Sequence, residues 1–178
     1  MITLVGIAPG RAGLTTELLQ SHWRGPHAEL ARRLPGLRGY VQHHFLELLP
    51  NPGFDIFSEL EFDDLAGLRA AMSSDHYQQE VVPDEKLLVD RARQFGVRME
   101  LAASGEAGAV LLVTLHRSEP GAEPGPLTRR LAAVAGQRSW LRAVDFEPFD
   151  EPGQALERAR IERREVVTTF ISRPARIL

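Results

Sequence analysis

The order of apolar segments in the first hundred residues constrains the fold most. Ile2–Ala8 is a short apolar run ending in Pro9-Gly10, the pattern of a buried strand followed by a turn. A helical pattern begins at Thr15 or Thr16, either of which can cap it, with Glu17 well placed in its first turn. It ends near Leu34, where Pro35-Gly36 acts as a stop. Leu37–Leu49 reads as a strand, Pro50–Phe54 as a turn, and Asp55–Phe62 as an alternating third strand. Asp63 or Asp64 caps a helix over Leu65–Met72. A polar segment, Ser73–Val82, leads to Pro83-Asp84-Glu85, which opens a helix over Glu85–Gln94 with Asp84 as its N-cap. Gln94–Leu101 supplies a fourth strand after a break near Gly96. The order is βαββαβ, the ferredoxin-like order, and the fold class is α+β. Four such strands carry their helices on one face and leave the other partly apolar, so that face needs a cover. Two sheets packed face to face supply it and make a dimeric α/β barrel.

A second, weaker cycle follows a short Ala/Gly-rich linker at Ala102–Ala107. Gly108–Leu115 is a strong apolar strand, Pro120–Pro126 a Gly/Pro loop, and Leu127–Ala135 a short helix. Trp140–Phe146 alternates as a strand, Gly153–Arg164 is a charged helix, and Glu165–Ile171 is a last strand. This β-α-β-α-β order is one strand short of the first half. The expected organisation is a ferredoxin-like domain over residues 1–103 and a degenerate second ferredoxin-like half over residues 108–178 packing on it. The 178 residues suffice for one substantial domain or two small ones.

The densest chemistry lies in Ser21–Leu34, SHWRGPHAELARRL. On a regular helix Leu19, Trp23, His27, Leu30 and Leu34 form one stripe that faces the core. His27 then points inward beside Trp23. Pro26 has no N–H to give the carbonyl of His22, so a kink or break at Gly25-Pro26 is expected, and a kink beside an inward histidine can open a pocket. The alternative for His27 is an ordinary core histidine with both nitrogens satisfied. His22 and His27 are five residues apart, about 140° around an α-helix, so they do not make the i, i+4 pair that binds metals. No metal is expected. On the strand Leu37–Leu49, alternation puts Tyr40, Gln42 and His44 on one face and Val41, His43 and Phe45 on the other. His43 and His44 therefore cannot enter the same pocket, and the plain alternative for either is a solvated strand histidine.

Composition removes several function classes. The formal net charge is −3, from 21 basic and 24 acidic residues, which leaves no basic excess for nucleic acid. Arg158, Arg160, Arg163 and Arg164 cluster, but Glu157, Glu162 and Glu165 interleave with them as a solvated helix face would. Cysteine is absent, which excludes disulfides, thiolate catalysis and zinc–cysteine sites. The N-terminal MITLVGIAPG lacks the basic start of a signal peptide, and no apolar run approaches the ~18 residues a membrane span needs. The expectation is a soluble, cytoplasmic protein with no membrane partner.

With these residues in view, the first hundred resemble the EthD family of small proteins with a dimeric α/β barrel fold. The likeness rests on W-x-x-x-H-A-x-L, here Trp23, His27, Ala28 and Leu30, and on L-P-G-L-R-x-Y-V-Q, here Leu34 to Gln42. It extends to the acidic strand end Glu61-Phe62-Asp63 and to Pro83-Asp84-Glu85. The chain departs from the family form at Ser21-His22, where an aromatic followed by Trp is commoner, and in its long second half. The family includes an auxiliary protein of ether degradation and enzymes or cyclase-like proteins of aromatic polyketide pathways, generally working without metal or organic cofactor. By that resemblance His27 carries function and no cofactor is expected.

Two main expectations follow. In the first, the protein is a cofactor-independent enzyme of a lyase or cyclase type acting on a small aromatic or polyketide-like substrate. His27 is its general acid or base, Trp23 an apolar wall, and His22, Tyr40, Gln42 and His44 bind substrate. In the second, it is a non-catalytic auxiliary protein that binds a hydrophobic ligand. A third possibility is a barrel that serves mainly for assembly, and a haem oxygenase with His27 or His44 as axial ligand is a fourth. The barrel closes either as a homodimer or as a pseudo-dimer within one chain.

Overall fold

A computed structural model describes residues 1–99, 110–116, 128–132, 143–161 and 166–178. The first half runs β1 (Ile2–Ala8), α1 (Thr16–His22), a π-helical turn over Trp23–His27, α2 (Ala28–Ala31), β2 (Leu37–Leu46) and β3 (Ile56–Phe62). It continues with α3 (Leu65–Ser73), a second π turn over Tyr77–Val81, α4 (Val82–Leu88) and β4 (Phe95–Met99). The second half contributes β5 (Val110–His116), β6 (Thr128–Ala132), β7 (Ala143–Phe149), α5 (Pro152–Ile161) and β8 (Val166–Arg176).

The caps explain where the helices start. The Thr15 hydroxyl accepts from the Leu18 amide at 3.3 Å, and the Asp64 carboxylate from the Gly67 amide at 2.8 Å, each filling a bond the first turn lacks.

The eight strands close into a barrel in the order β1-β3-β2-β8-β5-β7-β6-β4. Every ladder is antiparallel. Read from the fourth strand of each half, the order is β4-β1-β3-β2 and β8-β5-β7-β6. Both are the same permutation. One seam joins β2 to β8, from Val41 opposite Arg176 to Leu46 opposite Ile171. The other joins β4 to β6 through Arg98–Ala132 and Met99–Leu131. The ring thus closes within one chain, the second of the two closures expected.

Alternation along each strand separates two apolar layers. Val5, Ile7, Phe57, Val113, Leu115 and Phe146 pack inside the barrel. Tyr40, Phe62, Ala28, Leu34, Leu68 and Val81 pack between the outer sheet face and the helices. Among the described residues, no helix is long and apolar enough to cross a membrane.

Five local expectations change. Leu127–Ala135 was expected as a helix, but its described part, Thr128–Ala132, is the strand β6. A run this short carries too little periodicity to choose, and pairing with β4 and β7 decides it. Among the described residues, the second half therefore has four strands rather than three. Ser73–Val82 is not an open polar segment, because α3 reaches Ser73 and the π turn over Tyr77–Val81 runs straight into α4. That helix ends at Leu88 rather than Gln94, with Val89 extended. Asp84 consequently sits inside the first turn of α4 and is not an N-cap; the capping position, Val81, is itself helical and has no side-chain cap. Finally, Gly25-Pro26 does not break the helix. The chain absorbs the missing Pro26 amide by widening into the Trp23–His27 π turn, and the Ala28 N–H turns back to the Gly25 carbonyl. The expected linker at Ala102–Ala107 and loop at Pro120–Pro126 lie outside the described residues.

Candidate functional site

The site is assembled where the first π turn crosses α4 above the outer face of β2. A π turn bonds i to i+5, so residues five apart come onto one side. This brings His22 and His27 together, where a regular helix would set them about 140° apart. Both meet Asp84: His22 Nε2 lies 2.6 Å from Oδ1, and His27 Nδ1 lies 2.8 Å from Oδ2. His27 is nearly buried, while His22 is about one-third exposed. Partial burial pushes the Asp84 carboxyl up, but the hydrogen bonds from His27 and His22 outweigh it and hold the group below its ordinary range. A carboxylate can only accept, so His27 donates through Nδ1–H and its Nε2 is left with a lone pair while the ring is neutral. An imidazole oriented this way by a carboxylate can move a proton at Nε2.

Under the π turn lies the row from β2. Trp23 is buried, its ring centred 5.1 Å from that of His44. The Gln42 side-chain amide donates to the Trp23 carbonyl at 2.7 Å and to the Tyr40 hydroxyl at 2.9 Å. Burial pushes the Tyr40 phenol up to about 12, against the opposing bonds from Gln42 and Trp23. His44 Nδ1 lies 2.6 Å from Gln20 Oε1, and burial, then Arg24 and His43, lower His44 to about 4.

Glu85, beside Asp84, is raised above the ordinary range by burial, and it hydrogen-bonds Tyr77, whose phenol is pushed up to about 12, also by burial. Adjacent residues on α4 therefore hold carboxyls shifted in opposite directions.

The structure brings His22, Trp23, His27, Tyr40, Gln42 and His44 onto one side of the sheet. His22 reaches Asp84 rather than standing alone as a binding group. His43 and His44 do part to opposite faces, but neither is solvated. His43 is sealed inside the barrel, with Nε2 2.6 Å from Glu59 Oε1 and Nδ1 3.0 Å from Ser172 Oγ. Among the described residues, no group of three His, Asp or Glu side chains is disposed to hold a metal ion. Sequence reasoning passed over Asp84, Glu85, Tyr77 and Gln20 as site residues. For the first two the available signal was a pair of adjacent acids beside a proline, which also describes an ordinary helix start.

A scan of family models matches residues 11–92 to the EthD domain. Those residues form an EthD domain. It contains every residue of the His22–Asp84–His27 cluster and all three of the β2 row. No curated protein sequence matches the chain. Among solved structures, an EthD family protein of Bacillus halodurans C-125 is 21% identical, covering 57% of this chain and 99% of its own, with a TM-score of 0.47. A provisionally assigned monooxygenase of Lactobacillus acidophilus NCFM is 9% identical, covering 99% of this chain and 94% of its own, with a TM-score of 0.49.

Proposed function

We propose that this EthD-domain protein is an enzyme that moves protons on a small aromatic or polyketide-like substrate without a dissociable cofactor. Dehydration, cyclisation and decarboxylation all fall within such chemistry. The observation that supports it is the bond from Asp84 to His27 Nδ1, which leaves Nε2 as a positioned base. His27 is the catalytic group. Asp84 is a positioning residue, shared with His22. Trp23 is the apolar wall, and Tyr40, Gln42 and His44 orient substrate oxygens.

Native mass spectrometry of gently purified protein identifies any retained small molecule, and turnover of that compound is then compared between wild type and His27→Ala. A loss of turnover with ligand still bound supports the enzyme. Equal rates remove His27 from the mechanism. Binding that survives His27→Gln, with no turnover by wild type, replaces the enzyme by a non-catalytic ligand-binding protein.

A further inference from the structure

Two acceptor atoms on β2 have nothing to accept from. Gln42 Oε1 and His44 Nε2 are buried side-chain atoms with no hydrogen-bond partner. Gln42 is fully buried and His44 is 7% exposed. Leaving such atoms unpaired is costly, and the great majority of buried polar atoms are paired.

Their chemical character is fixed by what their other ends do. The Trp23 carbonyl can only accept, so the Gln42 atom 2.7 Å from it is the NH2 and the orphan is the carbonyl oxygen. Gln20 Nε2 donates to the Asp55 carbonyl at 3.2 Å, so the Gln20 atom facing His44 is an oxygen. His44 Nδ1 must then carry the hydrogen. With one proton on the ring, Nε2 is a bare lone pair. Both orphans are acceptors, and neither can donate. They are two residues apart on one strand face, about 7 Å between Cα atoms, and Trp23 touches both residues.

We infer that this pair of acceptors selects a flat ligand carrying free hydroxyl groups, a phenol or an enol, and discriminates against the same ring with its oxygens methylated. The inference rests on the proposed function and names its substrate class. The surroundings favour a flat ring: Trp23 belongs to an apolar cluster with Ala8, Leu19, Ile56 and Leu88. A site built to pair a hydroxyl rejects the analogue lacking it far more strongly than an apolar pocket rejects a methylene.

The test uses resorcinol and 1,3-dimethoxybenzene on the full chain, with the protein ¹⁵N-labelled at histidine. The expected result is binding of resorcinol at least tenfold tighter than its dimethyl ether. The His44 Nε2 resonance should shift on resorcinol binding as a bare nitrogen does when it accepts a hydrogen bond. His44→Phe should weaken resorcinol and leave the ether unchanged. Because Gln42 also holds Trp23 and Tyr40, the wild-type Nε2 shift serves as the readout that no misfolded variant can imitate. Equal affinity for both compounds, or a resorcinol complex that leaves Nε2 unshifted, overturns the inference while the proposed function stands; a buried water satisfying both acceptors would give this result. Binding of neither compound overturns the inference, and turnover unchanged in His27→Ala is the separate result that removes the catalytic site.

Discussion

Asp84 Oδ2 sits 2.8 Å from His27 Nδ1, and because a carboxylate can only accept, this contact leaves Nε2 as the lone-pair nitrogen of the neutral ring. The same carboxylate is engaged on its other oxygen by His22. Asp84→Asn keeps the shape but replaces one accepting oxygen by a donor, so one histidine loses its partner and the His27 ring is free to turn over. The expected effect on turnover is a loss of up to about 10⁴-fold, the scale seen when the orienting carboxylate of a Ser-His-Asp triad becomes an amide. KM should move little, because in the proposed mechanism Asp84 acts through His27. A comparable fall in binding with kcat intact would make Asp84 part of the binding surface instead.

Inside the barrel, His43 and Glu59 form a pair with no exposure on either side. Such a pair is weak evidence for stability, yet losing one member strands the other. Glu59→Ala should therefore cost about 3–5 kcal/mol in urea unfolding. Combining Glu59→Leu with His43→Phe, whose ring neighbours Phe57 and Phe146 are already aromatic, should cost less than the sum of the two single changes. Additive costs would show that the two side chains are not coupled.

The His44 imidazole gives a pH signature. Its folded-state value is lowered to about 4, below the about 6.5 of a free histidine. As pH falls below about 6.5 the unfolded chain takes up this proton before the folded one does, so stability present above that pH drains away towards pH 4. The urea midpoint should fall between pH 7 and pH 5. His44→Phe should flatten that slope; an unchanged slope assigns the pH dependence elsewhere.

Solution mass tests the closure of the ring. Both seams, β2 to β8 and β4 to β6, are satisfied inside one chain. The expected species by light scattering has the 19.8 kDa chain mass. A species of twice that mass would mean the ring leaves another surface for pairing.

Much of the first half was legible because its strands alternate and its turns carry Pro and Gly. Tyr40, Gln42 and His44 fall on one face because a strand has period two and the register shift in the β2–β3 ladder lies before them, between Leu37 and Gly39. The helix was harder. Period 3.6 placed Trp23 and His27 inward correctly, but the π turn adds a phase shift that separates regular-helix geometry from the real positions of His22 and His27. Pro26 signalled a disturbance without saying which kind. Asp84 was hidden for a different reason. A first-turn aspartate reads alike whether it caps its own helix or reaches across to another, and only packing between α4 and the π turn distinguishes them. In the second half, Thr128–Ala132 is a strand because of its neighbours in the ring, which no short window of sequence contains.

Closure within one chain has an effect on how such a protein can change. In a ring made of two identical chains every substitution is written twice, and a residue that improves one side is imposed on the other. Here each position occurs once per ring. Residues 108–178 hold a single histidine, His116, so they carry no second copy of the His22–Asp84–His27 arrangement. The cluster therefore stands on one flank of the barrel only, and a ligand bound there would have no equivalent site on the other flank with which to be cooperative.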